Sequence, residues 1–224
     1  MVNAAVRGTV LATLLVVAMT GCGGGSEESG PAGGQNGDSL EGHEGKAPVA
    51  LTSDQVRMAL PSTGSLPEGW RVAVGGSAEA KAGQEAASDC ENDTQSNCGG
   101  LVTMGRAMLE AVGASQWDNT VFVKVHSFDS VENAGVAMKS LVAAARKQAG
   151  TDAEPMKVSA GAEETDAFSE EISDYYSADV TMRVGTVVVH LSGTDLAKTD
   201  GIDALAKFQI DRIKQAASGK NPDA

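Results

Sequence analysis

Tyr175-Tyr176-Ser177-Ala178-Asp179-Val180-Thr181-Met182-Arg183-Val184-Gly185-Thr186-Val187-Val188-Val189-His190-Leu191 is the stretch whose reading decides the fold. It is rich in β-branched residues, and Gly185 is its one turn signal. It reads as a strand, a tight turn and a strand. So short a turn can only join antiparallel neighbours. Upstream, Val121, Val123 and Val125 alternate with Phe122, Lys124 and His126, the period of two that marks another strand. Residues 101–112 are ambiguous between helix and strand, and their setting favours a strand. Residues 71–74, after the turn Leu66-Pro67-Glu68-Gly69-Trp70, and residues 156–160 are shorter strand candidates.

Helical periodicity appears between these segments. Asp129 and Glu132 have the spacing of a capping box, and Val131, Ala134, Met138, Leu141, Val142 and Ala145 recur on one face up to Gly150. A second long helix starts after Thr199 or Asp200. Its inner face is Ile202, Leu205, Ala206, Gln209, Ile213 and Ala216, with Gly219 as its stop. A short helix is expected after Thr52, with Gln55 completing its cap. Residues 76–100 are small and polar and read as a loop. The expected fold class is therefore α+β, an antiparallel sheet with two long amphipathic helices packed on one face. Residues 51–218 form a single domain in this reading, and residues 219–224 form a tail.

The N-terminus carries different information. Arg7 is the only charge before Glu27, and the apolar run from Thr9 to Met19 is eleven residues long. A bilayer-spanning helix needs about 20. A basic start, a short apolar centre and the small pair Thr20-Gly21 describe a secretory signal peptide over residues 1–21. Cys22 follows at once, and the junction resembles a bacterial lipobox. That resemblance implies diacylglyceryl transfer to Cys22, fatty acids such as palmitate on the mature chain, and cleavage between Gly21 and Cys22. Two acyl chains anchor a protein stably where one does not. Residues 22–50 are rich in Gly, Ser, Glu and Pro and read as a flexible tether. A coil of that length has ends about 30 Å apart. The expected location is the outer face of the bacterial cell membrane.

The formal charge is -13, and -14 once residues 1–21 are removed. Such an excess disfavours nucleic acid as a partner, because phosphates demand a basic footprint. It disfavours charge-driven adhesion to anionic lipids too, so the membrane is a partner through the Cys22 anchor. With Cys22 acylated, Cys90 and Cys98 remain as a pair eight positions apart. An oxidising compartment permits a disulfide between them. The alternatives are a metal pair, which lacks a second Cys pair, and a redox pair, which normally has two intervening residues.

Several elements together carry a resemblance to a known family. They are Leu51-Thr52-Ser53-Asp54-Gln55-Val56-Arg57, Leu66-Pro67-Glu68-Gly69-Trp70, a cysteine-bridged loop, Phe128-Asp129-Ser130 before an Ala-rich helix, and Arg183-Val184-Gly185-Thr186-Val187-Val188-Val189. They resemble the extracellular sensor domain of PknH-type mycobacterial kinases and its stand-alone actinobacterial lipoprotein relatives. The resemblance covers residues 51–218. It implies an α+β domain with a cleft, held outside the cell, and it transfers no functional residue.

No nucleophile elbow, zinc-protease helix motif, P-loop or dinucleotide fingerprint occurs in the chain. Asp89, Glu91, Asp93 and Gln95 alternate like a calcium loop, but Thr94 stands where its Gly belongs and Gly100 where its bidentate Glu belongs. No enzyme activity, cofactor or metal is expected. Asn92-Asp93-Thr94 is a chance match to a glycosylation acceptor, and His43 lies in the tether. Trp70, Trp117, Tyr175 and Tyr176 serve either packing or stacking on a sugar or lipid. One constellation remains. Lys124 and His126 share a strand face, and His190 is opposite in phase to Val187, Val189 and Leu191. With Arg183 they would make a basic patch on an uncovered sheet face, suited to an anionic envelope ligand. The expected function is a non-enzymatic, lipid-anchored binding or sensor-like domain. An envelope lipid or glycolipid carrier is the alternative, because Ala134, Gly135, Ala137, Ala143, Ala144 and Ala145 leave room beneath the first long helix.

Substituting Cys22→Ala should leave the protein unlipidated. Labelled fatty acid that still attaches to that variant would refute the anchor.

Overall fold

The computed structural model describes residues 48–224 apart from 77, 96, 97, 115–117 and 200, and apart from the side chains of 93 and 94. The signal segment, Cys22, His43, Trp117 and all but three residues of the tether lie outside the described residues. The elements run α1 (Ser53–Ala59), β1 (Trp70–Val72), β2 (Glu79–Ala82), α2 (Gly83–Thr94), β3 (Leu101–Ala111), β4 (Thr120–Phe128), α3 (Val131–Ala149), β5 (Glu154–Pro155), β6 (Glu164–Ile172), β7 (Tyr175–Val184), β8 (Val187–Leu196) and α4 (Gly201–Ala217). Among the described residues eight strands form one antiparallel sheet in the order β1-β3-β4-β8-β7-β6-β5, with β2 also on β3.

The hairpin that opened the sequence reading is β7–β8. Val184 pairs with Val187 around Gly185, whose φ of 55° suits the turn. β3 is a strand along its whole length and pairs with β4 from Leu101–Phe128 to Glu110–Thr120. The cap of α1 is complete: Thr52 accepts from the Gln55 backbone and Gln55 from the Thr52 backbone. For α3 the capping residue is Ser130, whose hydroxyl accepts from the Asn133 backbone at 3.2 Å. Asp129, the expected cap, takes the Asn133 side chain instead, at 2.7 Å.

The two long helices lie on opposite faces of the sheet, which corrects the expectation of one covered face. Ile202, Leu205, Ile210 and Ile213 of α4 share a core with Val121, Val123, Val125, Val180, Met182, Val189 and Leu191, and with Val56 and Leu60 at α1. Ala134, Ala137, Met138 and Leu141 of α3 pack with Met104, Phe128 and Val188, which point the other way, and with Ala86 and Cys90 of α2. The cause lies in the central strands, where one phase is buried along its length and the other carries buried apolar residues at Phe128 and Val188. At Gly105 a Cβ would stand 2.6 Å from Val56 Cγ1, so only glycine lets α1 lie this close to β3.

Three segments differ from the sequence reading. Residues 76–100 contain β2 and α2 rather than a loop. Ala86 and Cys90, one helical turn apart, are its buried contacts, too sparse a pattern to announce a helix. The ladder near residue 156 is confined to Glu154 and Pro155. β6 carries Glu164, Asp166, Glu170 and Glu171, residues of low strand propensity, and is held by its pairing to β7. Cys90 and Cys98 are bonded, with Cα atoms 6.2 Å apart, and the bridge ties α2 to the start of β3.

Residues after α4 fold back against it. Gly219 has φ 76°, and the Lys220 and Gly219 amides donate to Gln215 and Ala216, which closes the helix end. Arg212, 2% exposed, donates to the Met58 and Ala59 carbonyls and to Asp223. The Arg212 hydrogen bond is the main reason that the Asp223 carboxyl sits well below the usual carboxylate range. Burial opposes it, and Ser65 and Ser62 assist.

Replacing both bridged cysteines by Ala should cost about 2–3 kcal/mol in urea unfolding and leave the circular dichroism of the folded state intact. Two free thiols by alkylation without reductant would refute the bond. Because the folded-state pKa of Asp223 is depressed, its stabilisation is complete above the ordinary value of about 3.9 and is lost as pH falls towards the folded value. Asp223→Asn should therefore cost about 1–2 kcal/mol at pH 7, and the gap to the parent should narrow below about pH 4.

Candidate ligand cleft

Lys124, His126, Arg183 and His190 do share one sheet face. The ladders pair Lys124 with His190 and His126 with Val188, which pairs in turn with Arg183. The face is not open, because α3 crosses it. His126 is fully buried within the layer that holds Met104, Phe128 and Val188, beneath α3. Arg183 is buried as well and has its own counter-ions: Glu164 Oε1 accepts from Nη2 at 2.6 Å and Glu163 Oε2 from Nη1 at 2.7 Å. Burial works against the Arg183 charge, but the hydrogen bonds and charges of Glu164 and Glu163 outweigh it and hold its pKa above the ordinary value. The four-residue basic patch thus divides. His126 and Arg183 lie at the covered end, and Lys124 and His190 at the end where α3 lifts away.

Beneath the second half of α3 lies a half-open cleft of about 640 Å³. Its floor is the sheet face of β4, β8, β7 and β6, and its roof is Ala144, Ala145, Gln148 and Ala149. Of the six small residues that the carrier reading singled out, Ala144 and Ala145 line this space, whereas Ala134 and Ala137 are packed in the core. Lys124 and His190 both line it. The His190 imidazole meets the Asp179 carboxylate through Nε2. Phe122 and Phe168 add aromatic surface, and Glu170 stands at the β6 side.

The height of the cleft is set by a latch at the end of α3. Arg146 donates to both carboxylate oxygens of Asp166, at 3.1 and 2.8 Å, and its guanidinium lies over the Phe168 ring, 5.0 Å from the centroid. A planar fork on a carboxylate fixes orientation as well as distance. The sequence reading missed Asp179, Phe168 and Arg146. Asp179 was within reach, because it precedes Thr181 and Arg183 at strand spacing and shares their face. Phe168 and Arg146 were not, because β6 was not recognised.

A second groove of about 370 Å³ lies beside the first, between β2, β3 and β4, and the two share Phe122 and Lys124. Arg106 and Glu79 line it and are paired to each other at 3.1 Å. Among the described residues no three His, Cys, Asp or Glu side chains gather to hold a metal ion, and no helix is long and apolar enough to cross a membrane.

The chain is thus an α+β domain, an antiparallel sheet with helices on both faces and a cleft under one of them. Its fold is similar to the crystal structure of the extracellular domain of PknH from Mycobacterium tuberculosis, with a TM-score of 0.51 and 12% sequence identity over 75% of this chain and 99% of that one. At that identity the likeness is one of fold. No family model matches the chain, and no curated protein matches it in sequence.

Proposed function

We propose that this chain is a non-enzymatic, ligand-binding domain of a lipoprotein, anchored through Cys22 at the outer face of the bacterial cell membrane. The observation that carries the binding role is the half-open 640 Å³ cleft, whose floor holds Lys124 and the His190–Asp179 pair beside aromatic surface. A concave site with a few fixed polar groups on an apolar wall is the usual form of a small-molecule site. The fold shared with a kinase's extracellular domain supports a sensor-like role outside the cell. The signal peptide and the junction at Cys22 support the location.

The chemistry of the cleft favours a polar ligand over a hydrocarbon one. An acyl chain on this floor would strip water from Lys124, Glu170 and Asp179, at a cost its own burial would have to exceed. The carrier reading would require a lipid to be held in spite of this. The anionic ligand expected from the basic patch loses its support, because Arg183 and His190 already face carboxylates of the same chain.

Incubating the full chain with an aqueous envelope extract and reading adducts by native mass spectrometry tests the binding role. A polar adduct on the parent protein should vanish in Ala145→Trp, which fills the cleft from the roof while circular dichroism stays unchanged. A stoichiometric lipid that co-purifies with the parent would favour the carrier instead. Identical adducts on parent and variant would remove the cleft from consideration.

A further inference from the structure

We infer that the main cleft and the neighbouring groove act as one elongated site for a neutral, linear oligosaccharide. The inference rests on the reading of the main cleft as a binding site and goes on to name its ligand class. The two concavities meet at Phe122 and Lys124, which line both. Together they run across β2, β3, β4, β8, β7 and β6, five strand spacings or about 24 Å. A compact metabolite would fill only part of that length, whereas an extended chain fills all of it.

The charges along the floor point to a neutral chain. Arg106 and Lys124 face Glu79, Glu170 and Asp179, so the lining holds two fixed cations against three anions, with His190 in contact with Asp179. A polyanion would meet net repulsion, and a polycation would meet Arg106 and Lys124. Hydroxyl groups donate to carboxylates and accept from guanidinium, ammonium and imidazole without carrying a net charge, so a polyol satisfies both kinds of partner at once. Phe122 is 37% exposed at the junction of the grooves, so its ring is accessible to a ligand. An aromatic face there suits the C–H face of a sugar ring, and the Arg106–Glu79 pair offers fixed donors and acceptors one strand further on.

The test uses the full chain and neutral β-1,4-linked glucose and N-acetylglucosamine oligomers, from the disaccharide to the hexasaccharide, with a galacturonic acid hexamer as the anionic comparator. Calorimetry should show affinity rising with length and falling less than about twofold as salt is raised from low to high ionic strength. Phe122→Ala should weaken the neutral hexamer by about tenfold or more without a change in melting temperature, because the ring is part-exposed. Arg106→Gln should bring the hexamer close to the disaccharide and leave the disaccharide unaffected. If affinity is flat with length while Ala145→Trp abolishes disaccharide binding, the extended site is wrong and the cleft reading stands. Tighter, salt-sensitive binding of the galacturonic acid hexamer would overturn the neutral class. If no oligomer binds but Ala145→Trp still removes an envelope adduct, the saccharide class falls alone. If that adduct too is insensitive to Ala145→Trp, both readings fall.

Discussion

The pairing of β4 with β8 is the contact on which the rest of the molecule depends. It joins the segment that contains β1 to α3 to the segment that contains β5 to α4, and it runs from Thr120–Thr194 to Ser127–Val187. Both strands lie in the middle of a sheet covered on two sides, so both phases of each must be filled. Val123 and Leu191 serve the α4 side, and Val188 serves the α3 side. A slip of one residue would turn the polar side chains Lys124 and His190 into the valine-rich core beneath α4, at the cost of burying them among apolar groups. The register that buries the valines is therefore the same register that brings Lys124 and His190 side by side.

The cleft follows from how this face is covered. Met138 and Leu141 seat the first half of α3 on Met104, Phe128 and Val188. Beyond them the helix presents alanines, and the sheet below mixes Phe122 and Phe168 with polar side chains such as Lys124, Asp179 and His190. The short alanine side chains do not reach this floor, and the surfaces stand apart. Arg146 then holds the far end of the helix at a fixed height through Asp166 and Phe168. The space is framed at both ends, a concavity produced by packing rather than by a loop.

Period-two and helical patterns made most of this fold legible. The β7–β8 hairpin, β4, the face of α4 and the cap of α1 all follow from local spacing, because each buries a regular set of apolar residues. The misses have a common physical character. Among its described side chains α2 contributes Ala86 and Cys90 to the core, and β6 is an acidic strand held by its neighbour, so neither carries its own signal. The placing of both long helices on one face failed for a subtler reason. Lys124, His126 and His190 drew attention to one phase of the strands as polar, while Met104, Phe128 and Val188 in that same phase announced a second core. The candidate site was legible as far as the shared face of its residues. Which of them were buried, and which already faced carboxylates, depended on α3 and β6 in three dimensions.

The way the chain enters the sheet has a mechanical consequence. Leu51 is held by its amide on the Ser127 hydroxyl at 2.7 Å and by its carbonyl on the Thr103 hydroxyl at 3.1 Å, and Val49 accepts from Thr186 at 3.1 Å. These three hydroxyls belong to β3, β4 and the turn between β7 and β8, close to the middle of the sheet. Tension applied from the N-terminal side is therefore delivered to central strands and shared among them, instead of peeling an edge strand away one bond at a time. The three hydroxyl contacts around Val49 and Leu51 are thus the first bonds that such a pull meets, ahead of α1 and the edge strand β1.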